Sequence, residues 1–165
     1  VSKVVIGGST RMESALAGVS EVKKGAKLVA IHDGARPLVT QDVINRVVYD
    51  ASVHMSSIPV IPSTDTLKVV DDDGNVTGTV DRGRTVRVQT PQVFDADLIK
   101  GALTKAAKDA LPITDDCSAM DIMGIKTHTV MGDVDNIKIT TPNDMVTAEA
   151  IIKNRGDWNA NRAWV

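Results

Sequence analysis

Short apolar runs alternate with capped amphipathic helices along this sequence, and that alternation restricts the fold more than any other feature. Val1 to Ile6 (VSKVVI) reads as a strand. Thr10 and Glu13 stand at capping-box spacing, where hydroxyl and carboxylate reciprocally satisfy orphan backbone N–H groups. Met12, Ala15, Leu16 and Val19 follow on one helical face, and Gly25 is a fair stop. Lys27 to His32 (KLVAIH) has the apolar continuity of a strand buried on both faces. Thr40 caps a second helix with Val43, Ile44, Val47, Val48 and Ala51 on one side. Ile58 to Pro62 is a further short strand, and its two prolines predict an edge or irregular position. Asp95 caps a third helix, with Leu98, Ile99, Ala102 and Leu103 inward. A short helix over Asp115 to Met123 stops at Gly124, and Lys126 to Met131 alternates like a strand. Thr141-Pro142 opens the last helix, with proline at the first helical position, running to about Asn154.

Strands alternating with helices predict an α/β domain with a mostly parallel sheet over residues 1–155. Residues 156–165 read as a tail. One excursion interrupts the pattern. Thr66 to Val70, the turn Asp71-Asp72-Asp73-Gly74 and Asn75 to Val80 read as a β-hairpin, part of a protruding arm over about 66–88.

Charge and composition exclude several classes of function. The net charge is −2 and aromatic residues are 2% of the chain. A duplex-binding surface calls for a basic excess and a base-stacking platform for aromatics, so no nucleic-acid partner is expected. No apolar run is long enough to span a bilayer, and no signal peptide is expected. The single cysteine, Cys117, cannot form an internal disulfide and fits a reducing cytoplasm. No His/Cys cluster has zinc-ligand spacing, and no protein-borne metal ligand set is predicted.

In open α/β sheets ligands bind beyond the carboxyl ends of the strands. Those ends carry Gly7-Gly8-Ser9, Asp33-Gly34-Ala35-Arg36, Thr64-Asp65-Thr66 and Asp135-Asn136-Ile137-Lys138. Glycines permit close backbone approach, and Arg and Lys neutralise anions, so the set suits a phosphorylated ligand. Each piece also has a plainer reading. Gly7-Gly8 is a tight turn, Thr114-Asp115-Asp116 a helix cap, and Arg84 and Arg87 are solvated or interface charges. Cys117, Met120, Met123 and Met131 read as core, and His32 and His128 as packed neutral residues.

Taken together and in order, GGSTR, HDGARP, DTLK, TVDR, QTPQVF, ITDD and DNIKITTP resemble the 2-C-methyl-D-erythritol 4-phosphate cytidylyltransferases, from Val4 to about Arg155. HDGARP and QTPQ are shared with the wider pentitol-phosphate cytidylyltransferases, whereas TVDR with DTLK points to the methylerythritol branch. The resemblance implies a Rossmann-like nucleotidyltransferase fold, a homodimer formed through the hairpin arm, Mg²⁺ carried mainly by the CTP phosphates, and transfer of a cytidylyl group from CTP to a sugar-alcohol phosphate. It implies that Gly8, Ser9 and Ser14 flank the cytosine. Asp33, with Gly34 in the same turn, meets the ribose or a water near Mg²⁺, and Arg36 braces that loop. Thr66, Arg82, Thr90 and Thr114 contact the acceptor, and Lys138 lies near the reacting phosphates. Arg82 and Lys138 are the expected catalytic residues. The family's glycine-rich segment, which wraps the triphosphate and supplies a lysine and an arginine, is not in this sequence, so activity is expected of a longer parent. Two alternatives stay open: a cytidylyltransferase for ribitol 5-phosphate or another polyol phosphate, and a non-catalytic dimerising fragment.

Overall fold

A computed structural model of the chain describes residues 1–162, with side-chain environments through Gly156. The elements in chain order are α1 (Arg11–Ser20), β1 (Leu28–Ile31), α2 (Gln41–His54), β2 (Ser56–Pro62), β3 (Lys68–Val70), β4 (Val76–Thr79), β5 (Val86–Val88), β6 (Gln92–Asp95), α3 (Ala96–Lys108), α4 (Asp116–Ile122), β7 (His128–Met131) and α5 (Pro142–Arg162). A 3₁₀ turn covers Arg82–Arg84.

The helices begin where their caps predict. The Thr10 hydroxyl accepts from the Glu13 N–H, and the Glu13 carboxylate accepts from the Thr10 N–H. Thr40, Asp95 and Asp115 cap α2, α3 and α4 through their side chains. At the head of α5, the Asp144 carboxylate accepts from the N–H groups of Thr140 and Thr141. These bonds hold its carboxyl down at about 2. The last helix continues to Arg162, past the expected end, so the tail predicted from residue 156 begins inside a helix. Residues 163–165 lie outside the described residues.

The main sheet is mixed. β6 lies antiparallel between β1 and β2, β5 pairs antiparallel with the far end of β2, and β7 pairs parallel with β2. The three strands β1, β2 and β7 therefore share one direction, which is the parallel core of the α/β pattern. Helices cover both faces. Phe94 of β6 packs with Val19, Ile99, Leu103 and Met120 from α1, α3 and α4. Its neighbour Val93 points the other way, to Val43, Val47 and Ala51 of α2. One strand thus feeds two cores, as the period-2 alternation of a strand requires.

Several expectations are corrected. Val1–Ile6 is not a strand, because no neighbouring strand offers it ladder partners. Val4 and Ile6 are 85% and 95% exposed. β1 is only half-buried, being the outermost described strand of the sheet. β2, far from being an edge, is central and buried. Its prolines are tolerated for a local reason. Gln89 to Gln92 oppose only Ile58 and Pro59, so the partner strand bulges there. The Pro59 carbonyl accepts from the Gln89 N–H across that same edge, so the missing Pro59 N–H faces the bulge rather than a ladder partner.

The arm is real but shorter than expected. β3 and β4 form an antiparallel hairpin closed by Gly74 at φ 83°, a left-handed conformation that glycine adopts without strain. β5 returns to the main sheet, which places Arg87 there and not on the arm. His32 and His128 are exposed and hydrogen-bonded rather than packed. Met123 and Met131 are exposed, and of the three methionines only Met120 is core. Among the described residues, no helix is long and apolar enough to cross a membrane.

Candidate active site

The turn after β1 and the loop after β7 meet across the bulge between β5 and β6. Arg36 Nη1 donates to the Asn136 carbonyl at 2.7 Å, and the Ile139 N–H donates to the Ala35 carbonyl at 2.8 Å. The buried Gln89 amide latches the same loop, donating to the carbonyls of Asp133 (2.7 Å) and Asn136 (3.3 Å) and accepting from the Asp133 N–H (3.1 Å). A Cβ at Gly132 would collide with the Gln89 side chain, so the latch needs glycine beside it. The fully buried Asn136 completes the frame by donating to the Thr90 carbonyl.

This frame gathers cations around one carboxylate. Lys138 Nζ lies 3.1 Å from Asp33 Oδ2, Arg36 Nε 3.7 Å from the same oxygen, and Arg11 Nη2 3.8 Å from Asp33 Oδ1. Arg11 is anchored from behind by Asp116, at 2.7 Å. That bond raises the Arg11 pKa above its usual value. Burial pushes the Asp116 carboxyl up, and the guanidinium offsets only part of that. Burial lowers the Arg36 pKa despite Asp33 beside it.

Thr90 links Asp33 to His32. Its hydroxyl accepts from the Asp33 N–H at 3.1 Å and stands 2.9 Å from His32 Nδ1. His32 Nε2 is 3.0 Å from the Arg36 carbonyl, which can only accept. The network therefore closes with the ring proton on Nε2 and the Thr90 hydroxyl donating to Nδ1.

Two clefts open on this cluster. One, of about 560 Å³, lies between α1 and β1 and is lined by Arg11, Ser14, His32, Asp33 and Gly34 along with apolar residues. The other, of about 350 Å³, is lined by Arg36, Arg87, Gln89, Asn136 and Lys138. The Asp33–Lys138 pair joins them.

The predicted site residues fall into three groups. Asp33, Arg36, Thr90 and Lys138 come together as described, with Gly34 in the same turn. Gly8, Ser9 and Ser14 form a second group at the head of α1. The Gly8 N–H donates to Ser14 Oγ, and Ser9 donates twice to Glu13. A Cβ at Gly8 would collide with the Glu13 side chain. Thr66, Arg82 and Thr114 stand apart. Thr66 is exposed at the base of the arm, the Arg82 side chain donates among the described residues only to the Thr64 carbonyl, at 3.5 Å, and Thr114 faces Ser118.

The sequence reading missed Arg11, Gln89 and Arg87. Arg11 had a signal: it occupies the first position of α1, where the helix dipole disfavours a cation. Cys117 is only partly buried. Burial and the neighbouring Asp115 carboxylate, which accepts from its thiol, push its pKa up, so it is no nucleophile.

The chain matches, over residues 1–154, the sequence model of the 2-C-methyl-D-erythritol 4-phosphate cytidylyltransferases. A curated relative of that name from Caldanaerobacter subterraneus is 43% identical over 92% of this chain and 66% of its own length. One from Syntrophus aciditrophicus is 41% identical over 91% and 64%. The chain thus spans about two thirds of the length of the curated relatives it matches. The solved 2-C-methyl-D-erythritol 4-phosphate cytidylyltransferase of Thermus thermophilus superposes with a TM-score of 0.81 at 32% identity, covering 90% of this chain and 72% of that one. With the motifs, the fold and these relatives in agreement, the chain belongs to the 2-C-methyl-D-erythritol 4-phosphate cytidylyltransferase family.

Proposed function

We propose that the protein carrying this chain transfers the cytidylyl group of CTP to 2-C-methyl-D-erythritol 4-phosphate, releasing pyrophosphate. The observation that supports this best is the cluster of Lys138, Arg36 and Arg11 around the single carboxylate of Asp33. Three cations against the two carboxylates of Asp33 and Asp116 still leave a positive surplus where two clefts meet, as two phosphorylated substrates require. An acceptor phosphate oxygen forms the new bond to the α-phosphorus of CTP, and the bond to pyrophosphate breaks. The acceptor is already anionic, so no general base is needed, and the work is positioning and charge stabilisation. Asp33 holds the Lys138 ammonium in place, and Thr90 fixes the Asp33 backbone. Gly8 and Ser14 offer a close-packed wall for the base.

Mg²⁺ fits this site in one way only. Asp33 contacts all three cations, whereas Asp116 is buried against Arg11, so Mg²⁺ would be held mainly by substrate phosphates, with Asp33 as its protein partner. When bound it neutralises triphosphate charge.

Thr66 and Arg82 act, in this reading, in the site of a second copy. Val69, Val70 and Val76 of the arm are 51%, 59% and 62% exposed, and a two-stranded hairpin is marginal alone. A two-fold partner covers them and receives the base of the arm.

The test is pyrophosphate release by the intact gene product with CTP and either methylerythritol phosphate or ribitol 5-phosphate. Lys138→Ala should lower kcat by ~10²-fold. Turnover with ribitol phosphate alone, or an unchanged kcat with only a raised KM for CTP, contradicts the reading.

A further inference from the structure

On the opposite side of β7 from the Lys138 loop, at the start of the strand, three metal-ligating side chains converge. Asp50 and His54 are one turn apart on the last part of α2, and His128 is the first residue of β7. The Asp50 carboxylate lies 2.8 Å from His128 Nδ1 and 3.8 Å from His54 Nε2. The two imidazoles stack with centroids 4.1 Å apart. One donor atom from each residue lies within 4.8 Å of the others. The sequence shows no zinc-like spacing here because the third donor arrives from a distant strand.

From this geometry we infer that Asp50, His54 and His128 form a binding site for a divalent transition-metal ion such as Zn²⁺. Tetrahedral coordination with metal–ligand bonds near ~2.1 Å sets ligand atoms roughly 3.4 Å apart. The two Asp50 distances bracket that value, and closing the site requires the stacked rings, whose planes are 22° apart, to turn until both donor nitrogens point at one ion. Two imidazoles and one carboxylate suit zinc, nickel or copper, whereas magnesium and calcium prefer all-oxygen shells. His54 and His128 side chains are 44% and 51% exposed, which admits the ion and leaves room for water as a fourth ligand.

The ion would tie the last turn of α2 to the first residue of β7. The far end of the strand is already tied to the same helix, because Arg46 donates to the Met131 and Gly132 carbonyls. With both ends fixed, β7 becomes a rigid base for the loop that carries Lys138. The site is thus structural and separate from the reaction proposed above.

The experiment is calorimetric titration of the intact gene product with zinc chloride, with cobalt absorption as a coordination probe. One equivalent should bind, with ligand-field bands of a four-coordinate ion and a raised melting temperature. His54→Ala and His128→Ala should each weaken binding about tenfold or more, whereas Cys117→Ser should not. His54→Gln serves if an alanine variant fails to fold. Retention of full affinity in the histidine variants, loss of binding in Cys117→Ser alone, or no binding by the unaltered chain would overturn the assignment.

Discussion

Gln89→Leu removes the latch between the bulge and the Lys138 loop while filling most of its volume. The side chain is 3% exposed and makes three hydrogen bonds. The Asn136 carbonyl keeps its bond from Arg36, at 2.7 Å. The Asp133 carbonyl likewise keeps its bond from the Asn136 N–H, at 3.0 Å, so the Asp133 N–H alone loses its partner. An unpaired buried group costs ~1–3 kcal/mol. Asp133 is only partly buried, so water recovers some of that loss, and with the lost bonds to the two carbonyls the sum is about 2 kcal/mol. At ~3 °C per kcal/mol for a domain of this size, the melting temperature falls by about 6 °C. A loop freed at Asp133 also misplaces Lys138, which should lower kcat by roughly 10–100-fold with a smaller change in KM for CTP. Urea denaturation and pyrophosphate release, on the same preparation of the intact gene product, read the two effects. A loss below ~0.5 kcal/mol, the range of an ordinary surface substitution, refutes the latch. A full stability loss with unchanged kcat refutes its role in positioning Lys138.

Mixing Arg82→Ala and Lys138→Ala proteins under subunit exchange should restore part of the activity, because a heterodimer with Arg82 acting in trans has one intact site. No recovery despite proven exchange rules out the shared site. Asp144 has a folded-state carboxyl at about 2 against an ordinary 3.8, so its contribution is present above about 3.8 and is lost as pH falls toward 2. Asp144→Asn should flatten the acid limb of a melting-temperature profile in that window, and an unchanged limb would show that the α5 cap does not titrate there.

Helix starts were legible because a cap is a local bargain between one side chain and backbone two or three residues away. Thr10, Thr40, Asp95 and Asp115 needed no partner from elsewhere. Strand position was not legible, because it depends on what lies beside the strand. Two prolines argued β2 to the edge, and only the bulge opposite Pro59 explains why it sits at the centre. Residue type likewise misjudged His32 and Met131, whose exposure follows from pairing and loop position. In the site, Asp33, Arg36, Thr90 and Lys138 stood out through motifs at strand ends. Arg11 closes the GGSTR motif, but its role was not legible, since its anchors, Asp116 and Asp33, come from distant parts of the chain. Gln89 opens the QTPQVF motif, but a glutamine in a strand-like run declares no partner until the loop it holds is folded beside it.

The arm leaves the sheet after Pro62 and re-enters at Val86, and those two residues are paired across the ladder. The Ser63 N–H also donates to the Thr85 carbonyl. Everything between hangs from a closed gate, so its length has no influence on the register of β5, the bulge or β6. Lengthening such a loop twofold costs only ~0.6 kcal/mol of closure entropy. A deletion of one residue between Gln89 and Gln92, by contrast, would turn Val93 and Phe94 to the wrong faces and collapse both cores. Over evolutionary time the two regions therefore face different rules: the tip of the hairpin is free to change in length, while the few residues of the bulge are held fixed in number.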